Sequence, residues 1–474
     1  MKSYQSLLRG YEQEMIQTLR ELVSIRSVVE ETGKALEEEA PFGEGVQKAF
    51  DYMMDRCREM GFETLRTGDY GGHAQIGKGE ECMGILVHLD TVPEGEGWTK
   101  EPFGGQIEDG KMYGRGTADD KGPAVAALYA MKALKESGVP FYKKVRLIFG
   151  LDEEVEEWKG IGRYLEAAGK PDFGFTPDAD FPVVHGEKGI MVFALVKKFE
   201  KAREKGGLSL VSLKGGEAYN MVPNRCTAVI SGGDHEKLRR MAEEFGEKTG
   251  YEFFCKGRGK SLEFTAQGLS AHGAKPQFGV NAISIMMMFL SQLSFDQDEV
   301  NDFLRFYQEK IGFDIHGGRI DCDFSDDISG EMIWNTGMIE GDKESVRLVV
   351  NLRCPISTGQ EAVYQAMVPH LDPFGIGVVK IAYKAPIHVD RNSRLVTTLM
   401  DVYRKYTGDE KAEPLVIGGG SYARAIDNAV AFGMSFPGEP ATEHQKDEWI
   451  RLDLWMKAAQ MYGEAIYRLC CVKE

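Results

Sequence analysis

The chain has 474 residues, of which 42% are hydrophobic and 28% are charged. This length exceeds what one hydrophobic core organises, so two or three domains are expected, and the composition excludes a disordered or fibrous protein. The formal net charge of -17 argues against a nucleic-acid partner, which needs basic patches.

The first part of the chain alternates helical and strand-like patterns. Amphipathic helices are predicted over Leu7–Ile25 and Gly45–Met60, and a third helix over Ala124–Ser137. Short apolar strands are predicted at Met83–Leu89 and Val145–Gly150. The alternation predicts an α/β domain whose mainly parallel sheet is flanked by helices and binds its ligands at the carboxyl ends of the strands.

From about residue 190 the pattern changes to alternating strands separated by turns, as at Met191–Val196. This sequence pattern is typical of an α+β region with antiparallel strands. Long helical patterns return near the C-terminus. We therefore predict a catalytic domain formed by residues 1–189 and 387–474, with a lid domain inserted at residues 190–386.

Cysteine usage and hydropathy indicate the compartment. The eight cysteines are scattered without a CxxC pair, which favours a reducing environment over a disulfide framework. No apolar run has the length of a membrane span, and the N-terminus lacks the apolar core of a signal peptide. We expect a cytoplasmic protein with no membrane partner.

Four segments far apart in the sequence carry candidate chemistry. They are His88-Leu-Asp90 at a strand end, a glycine-rich turn with Asp119 and Asp120, a strand followed by Asp152-Glu-Glu154, and Ala441–Glu448 around His444. Side chains two apart on a strand point to the same face, so His88 and Asp90 lie side by side. Each segment taken alone also fits an ordinary structural histidine, helix cap or solvated loop.

Together these segments resemble the zinc-dependent metallopeptidase family of aminoacylases, carnosinases and dipeptidase V. The motifs HLDTVP, GRGTADDKGP and GLDEE occur in the family's order, followed by TPDADFP, NMVP, GLSAHGAKP and EHQ. Three segments are most similar to those of the dipeptidase V (PepV-like) members: Thr176–Pro182, His185–Gly189 and Gly418–Arg424. The resemblance extends from the first predicted helix to the last.

The resemblance implies two zinc ions per chain, bound by side chains from separate strand ends. Asp119 is expected to bridge the ions, with His88 and Asp178 completing one site and Glu154 and His444 completing the other. Carboxylate and imidazole donors suit zinc, and manganese or cobalt would fit the same ligands.

The resemblance also implies three residues that act in catalysis. Glu153 matches the general base that carries the proton of the attacking water to the leaving amine. The carboxylate of Asp90 is expected to accept a hydrogen bond from the ring of His88 and to fix its tautomer. His272 matches a lid histidine that supports the developing oxyanion. Asp120 is expected to cap the following helix.

Further residues match substrate contacts of the family. Asn220 is expected to engage the substrate, and Arg353 to pair with its terminal carboxylate, although a buried structural ion pair is an equal alternative for Arg353. The glycines Gly418, Gly419 and Gly420 would let the backbone approach the ligand, or would form a plain turn.

These expectations define a metal-dependent dipeptidase acting on small unblocked dipeptides, with its lid long enough to resemble the doubled lid of monomeric members. A monomer is therefore expected. An N-acyl amino-acid amidohydrolase with the same metal chemistry is the alternative enzyme. A non-catalytic metal- or peptide-binding protein is the alternative of another class, and the presence of Glu153 disfavours it, because a binding protein needs no base.

Overall fold

The computed structural model describes residues 3–155, 158–200 and 207–473. Within these ranges the α-helices, numbered along the chain, are α1 Tyr4–Gly10, α2 Glu12–Val23, α3 Glu44–Glu59, α4 Lys121–Ser137, α5 Lys159–Ala168, α6 His235–Thr249, α7 Ala282–Leu290, α8 Asp298–Lys310, α9 Gln360–Leu371, α10 Arg394–Thr407 and α11 Leu452–Ile466. None of these described helices combines the length and the apolar character needed to cross a membrane.

The strands are numbered in the same way. They are β1 Glu63–Arg66, β2 Gly72–Ile76, β3 Cys82–His88, β4 Gln106–Glu108, β5 Lys111–Tyr113, β6 Lys144–Gly150, β7 Phe173–Thr176, β8 Ala179–Asp180, β9 Val184–Glu187, β10 Gly189–Lys198, β11 Ser209–Gly215, β12 Arg225–Ser231, β13 Phe253–Arg258, β14 Ser261–Gln267, β15 Ser325–Asp326, β16 Gly330–Glu331, β17 Ile333–Gly341, β18 Ser345–Cys354, β19 Gly377–Lys384, β20 Ile387–His388, β21 Leu415–Ile417, β22 Ala429–Ala431, β23 Met434–Ser435 and β24 Trp449–Arg451.

The described residues form two compact units. The first contains residues up to 186 together with 388–415 and those from 420 onward, and the second contains 187–387 and 416–419. The short segment 416–419 therefore clusters with the second unit, whereas the sequence-based division assigned it to the catalytic domain.

The first unit is built on a sheet that contains strands in the order β1-β2-β6-β3-β7-β22-β9. Strands β6, β3, β7 and β22 run parallel, while β1, β2 and β9 pair antiparallel toward the edges. Every residue of β3 is buried, which is the pattern of a central parallel strand covered on both faces. The predicted α/β fold with a mainly parallel sheet is confirmed.

The first predicted helix is divided into two. A single helix over Leu7–Ile25 was expected, but α1 ends at Gly10 and α2 begins at Glu12. Tyr11 between them has φ -90° and ψ 0°, outside the helical region, and its backbone N–H bonds to the carbonyl of Leu8. Both helices contact α4, so the break lets them follow its surface.

The second unit contains an antiparallel sheet in the order β13-β14-β12-β11-β17-β18-β10-β19. Alternate residues of β18 face a separate hydrophobic core that also contains residues of α6, α7, α8 and α9. The change from parallel to antiparallel pairing confirms the α+β character that was predicted from residue 190 onward.

A small sheet in the first unit joins distant parts of the sequence. Its strand order is β24-β5-β4, and β24 pairs antiparallel with β5 so that Trp449 lies opposite Tyr113. The ladder places the segment that precedes Trp449, including His444, beside the glycine-rich turn that follows Tyr113.

Candidate active site

The parallel strands of the first unit end beside one another with polar residues. His88 is the last residue of β3, Glu153 and Glu154 follow β6, and Asp178 follows β7. Because β6, β3 and β7 are parallel neighbours, their carboxyl ends lie at one edge of the sheet, where ligands of such folds bind. The sheet therefore brings these side chains together, although they are far apart in the sequence.

Asp119 lies at the centre of this cluster and faces two imidazoles with its two carboxylate oxygens. Its Oδ1 is 3.0 Å from Nε2 of His88, and its Oδ2 is 3.0 Å from Nε2 of His444. Asp178 Oδ2 lies 3.7 Å from the same nitrogen of His88, and Glu154 Oε2 lies 3.1 Å from Nε2 of His444. The predicted ligand residues thus divide into two groups that share Asp119.

The donor atoms of the cluster fit a metal site. Ligand atoms of His88, Asp119 and Glu154 all lie within 4.8 Å of one another, and so do those of His88, Glu153 and Asp178. Among the described residues, the buried atoms His88 Nε2 and Asp119 Oδ1 have no hydrogen-bond partner. Buried polar atoms are rarely left without partners, and a cation held by nitrogen and oxygen donors would satisfy both.

Asp90 holds two of the surrounding segments together. His88 Nδ1 lies 3.0 Å from the backbone oxygen of Asp90 and 3.5 Å from its Oδ1. The other carboxylate oxygen of Asp90 accepts a hydrogen bond of 2.9 Å from the backbone N–H of Glu154. The ring of His88 is thus oriented chiefly by the backbone carbonyl of Asp90 and not, as predicted, by its carboxylate, which is turned toward Glu154.

Asp120 does not cap the following helix with its side chain, and that prediction was wrong. It occupies the N-cap position of α4 but forms no side-chain capping bond. Instead its Oδ2 accepts a hydrogen bond of 3.0 Å from the backbone N–H of His88. The peptide bond between Asp119 and Asp120 is cis, and the Asp120 carboxyl group points to the end of β3. Burial raises the pKa of Asp120 well above its usual value.

The carboxyl groups of the site are crowded and desolvated. Burial and the charge of Asp119 raise the pKa of Glu154 to about 7, and the same two causes raise that of Asp178. Burial also raises the pKa of Asp119, but the imidazoles of His444 and His88 beside its two oxygens outweigh this effect, so the pKa is lowered overall. The cluster concentrates negative charge that a bound cation would neutralise.

The two imidazoles hold protons strongly in the metal-free protein. Hydrogen bonds to Asp119 and Glu154 raise the pKa of His444 to about 11. Burial acts to lower the pKa of His88, yet the neighbouring aspartates raise it well above its usual value. Protons and metal ions therefore compete for the same nitrogen atoms.

Glu153 lies next to the ligand cluster. Burial raises its pKa well above the usual value, and the charges of Asp178 and Glu154 add to this effect against the opposing influence of His88. Its backbone carbonyl accepts a hydrogen bond of 2.8 Å from the indole N–H of Trp158. A carboxyl group whose pKa is raised holds a transferred proton more readily, which suits it to proton exchange during catalysis.

Tyr422 is a residue of this region that the sequence reasoning did not single out. Its ring is fully buried, lies 6.0 Å from the ring of His88 in an edge-to-face arrangement and 5.1 Å from Trp158. Its hydroxyl donates a hydrogen bond of 3.2 Å to Asp152. The sequence analysis noted Gly418–Arg424 for its family resemblance and its glycines, and the tyrosine within this segment was the available signal.

The second unit brings its own predicted site residues together. The backbone N–H of Gly273 donates a 2.7 Å hydrogen bond to the carbonyl of Asn220, and Met221 forms an antiparallel bridge with His272. The backbone N–H of Ala274 donates to Nδ1 of His272 at 3.1 Å. The ring hydrogen of neutral His272 therefore lies on Nε2, which can donate to a ligand.

Arg353 lies beside this loop. Burial and the positive charge of Arg353 lower the pKa of His272, which keeps the imidazole neutral. A side chain at Gly418 would approach Ala274 to 3.2 Å and Arg353 to 3.6 Å, so the glycine allows close packing there. Arg353 itself is almost fully buried at the end of β18.

The three predicted glycines differ in their surroundings. Gly418 and Gly419 belong to the second unit, and Gly420 belongs to the first. None of the three has a positive φ, so their backbone conformation does not itself require glycine. Ala274 at 3.2 Å restricts the space for a side chain at Gly418, whereas at Gly419 the nearest neighbour is Ile417 at 3.5 Å, an ordinary contact.

Comparisons with known proteins agree with this geometry. Residues 84–468 match the sequence model of peptidase family M20/M25/M40. The chain is 36% identical over 462 residues to the Bacillus subtilis (strain 168) protein named "Putative dipeptidase YtjP", covering 96% of this chain and 97% of that protein.

Solved structures show the same fold at low sequence identity. Aminoacylhistidine dipeptidase from Vibrio alginolyticus aligns with a TM-score of 0.58 at 15% identity, covering 95% of this chain and 96% of that one. Human carnosine dipeptidase 1 aligns with a TM-score of 0.55 at 15% identity, covering 98% and 97%. The family match and the full-length relative together show that this chain belongs to peptidase family M20/M25/M40.

Proposed function

We propose that this protein is a dinuclear zinc-dependent dipeptidase that hydrolyses small unblocked dipeptides. The observation that carries the proposal is the position of Asp119, which directs one oxygen toward each of two imidazoles. A carboxylate in this arrangement is suited to bridge two cations. The dipeptidase name of the full-length relative supports the choice of substrate class.

Five side chains would hold the ions. Asp119 would bridge them, His88 and Asp178 would complete one site, and Glu154 and His444 the other. When bound, a pair of such ions supplies Lewis acidity that activates a water and polarises the scissile carbonyl. The nitrogen and oxygen donor set favours zinc, and it also accepts manganese or cobalt.

Glu153 would move the proton. Its carboxylate accepts a proton from the attacking water and then gives that proton to the leaving amine. The raised pKa of Glu153 supports the holding of the proton between these two steps. Asp90 holds the ring of His88 and the backbone of Glu154 in place while this happens.

The second unit would supply substrate contacts. His272 would donate a hydrogen bond from Nε2 to the oxygen that becomes negative in the transition state. Asn220 would bind the same region, Arg353 would pair with the terminal carboxylate, and Gly418, Gly419 and Gly420 would bring backbone N–H groups to the substrate. The convergence of Asn220, His272, Arg353 and Gly418 within one unit supports these assignments.

The test compares substrates on metal-free and zinc-loaded protein. We expect zinc-loaded protein to cleave a simple unblocked dipeptide faster than the matching N-acetyl amino acid, and verified removal of metal by a chelator to abolish the activity. Faster turnover of the acetylated compound would instead establish an N-acyl amino-acid amidohydrolase. Full activity after verified metal removal would refute the metal-dependent mechanism.

The monomeric state and the cytoplasmic location stay predictions. All eight cysteines are free in the structure, which is consistent with the reducing compartment that their spacing indicates. Sedimentation of the purified protein would measure the oligomeric state directly.

A further inference from the structure

Glu448 is a buried carboxylate beside the candidate metal ligands, and the proposed mechanism leaves it without a role. Its side chain has 0% exposure, and that of its ion-pair partner Arg115 has 2%. Charged groups are seldom buried this completely unless specific partners satisfy them. The hydrogen-bond partners of Glu448 therefore indicate which segment of the chain its carboxylate holds in place.

The backbone first sets the position of Glu448. Strand β24 pairs antiparallel with β5, with Trp449 opposite Tyr113. One step further along the same ladder, the backbone N–H of Gly114 donates a 2.9 Å hydrogen bond to the carbonyl of Glu448. The side chain of Glu448 thus begins beside the loop that leads from Gly114 to Asp119.

The carboxylate then binds this loop along its length. Its Oε1 accepts hydrogen bonds from the backbone N–H groups of Gly116 at 3.0 Å, Ala118 at 2.9 Å and Asp119 at 3.3 Å. Such bonds to a charged acceptor are stronger than those between neutral groups. Glu448 therefore fixes the backbone from which Asp119 projects.

The other carboxylate oxygen of Glu448, Oε2, connects the same loop to a different segment of the chain. Oε2 accepts a 2.6 Å hydrogen bond from Nη1 of Arg115, whose Nη2 lies 3.3 Å from the carbonyl of Pro93 and 3.4 Å from that of Glu94. Glu448 also lies four residues after His444 in the sequence. One side chain thus ties together the segments that carry Asp119 and His444.

We propose that Glu448 is a positioning residue: by binding the 114–119 loop it sets the placement of Asp119 relative to His444, and so the affinity of the metal pair. This inference rests on the proposed function, since it assumes that Asp119 and His444 are metal ligands. Partners that lie outside the ligands of a metal commonly change its affinity by about 10–100-fold when they are removed.

The test measures metal binding by variants of Glu448 without relying on turnover. Glu448→Ala should weaken zinc binding by about 10–100-fold in competition with a chelator and should alter the visible absorption of the cobalt-loaded protein, at temperatures well below unfolding. Glu448→Asp, which withdraws the carboxylate by one methylene, should act in the same direction and replaces the alanine variant if that variant does not fold.

Two control variants distinguish the positioning of Asp119 from the loss of stability that follows when a buried ion pair is disturbed. Glu464→Ala removes another buried carboxylate of the first unit, one that pairs with Lys405 and Arg468 at 2.8 Å, and should lower stability without changing zinc affinity. The double variant Arg115→Met with Glu448→Gln keeps an oxygen facing the three N–H groups and removes both charges. It should bind zinc more tightly than Glu448→Ala.

The outcomes distinguish this inference from the proposed function. Wild-type protein that binds neither zinc nor cobalt would refute the metal site itself. Wild-type affinity and an unchanged cobalt spectrum in Glu448→Ala, or in Glu448→Asp, would overturn the positioning role alone, whatever the stability of the variant. A double variant as weak as Glu448→Ala would assign the effect to the Arg115 ion pair and would also overturn it.

Discussion

In the first unit, the candidate metal ligands other than His444 are buried or nearly so, whereas in the second unit Asn220 and His272 lie on an exposed loop. The side chain of His88 is 1% exposed and that of Asp119 is 14% exposed. Asn220 and His272 are both exposed, and hydrogen bonds of their neighbouring backbone hold them together. Metal binding needs donors in fixed positions, and substrate recognition needs groups that a substrate can reach. Mutations in the two regions should therefore have different effects on metal binding and on substrate turnover.

Loss of Glu153 should have the largest effect on turnover while leaving metal binding intact. Glu153→Gln removes the proton acceptor but keeps the size of the side chain, so we expect kcat to fall by about 10²–10⁴-fold. The measurement pairs steady-state kinetics with the zinc content of the purified variant. A Glu153→Gln enzyme that keeps zinc and the wild-type rate would show that another group acts as the base.

Loss of His272 should lower turnover from the second unit without touching the metal. His272→Ala removes a donor to the developing oxyanion, and we expect kcat to fall by about 10²–10³-fold. Zinc affinity should equal that of the wild type, in contrast to an Asp119→Ala variant. Weakened zinc binding in His272→Ala would contradict the assignment of metal binding to the first unit and of the oxyanion contact to the second.

Loss of Arg353 should act mainly on substrate binding. A charge-assisted hydrogen bond contributes about 1.5–3 kcal/mol, so Arg353→Met should raise KM for dipeptides by about 10–100-fold. The same variant should differ little from wild type on a dipeptide whose terminal carboxylate is replaced by an amide. An equal loss on both substrates, together with a fall in thermal stability, would instead favour the buried structural role for Arg353.

The smallest effect expected is a pH-dependent gain in stability on adding zinc. In the metal-free folded state the pKa of Glu154 is raised to about 7 and that of His444 to about 11. Since both values lie above the unfolded ones, the folded state binds more protons, and its stability falls as pH rises through this range. Zinc replaces these protons, so the rise in melting temperature on zinc addition should be larger at pH 8 than at pH 5.5. An equal rise at both values would contradict proton competition at this site.

Residues next to one another in the sequence show where pattern reasoning succeeds and where it stops. The buried apolar run predicted a strand that ends near His88, whereas Glu154 and Asp178 were named as metal ligands only through the family resemblance. The parallel pairing of β6, β3 and β7 explains why these side chains lie together. Asp120 was misjudged because its position before α4 also fits a cap, whereas the folded chain turns its carboxylate to the backbone of His88. The surrounding strand, and not the local sequence, selected between the two.

Contacts between residues far apart in the sequence could not be predicted, because they also depend on how the strands pair. The motifs marked Asp119 and His444 as candidate ligands, but Glu448 carries no pattern that distinguishes it from other acidic residues. Its function as an acceptor for three backbone N–H groups exists only because β24 pairs with β5. In the second unit, likewise, only the folded chain shows that Gly418 lies beside Arg353.

The sequence by itself determined the fold class and the types of chemical group at the site, because periodicity and strand-end motifs are local properties of the chain. The tertiary structure decided which oxygen faces which nitrogen and which buried carboxylate holds the ligand loop. These choices depend on strand register and burial, and both arise only when distant segments pack together.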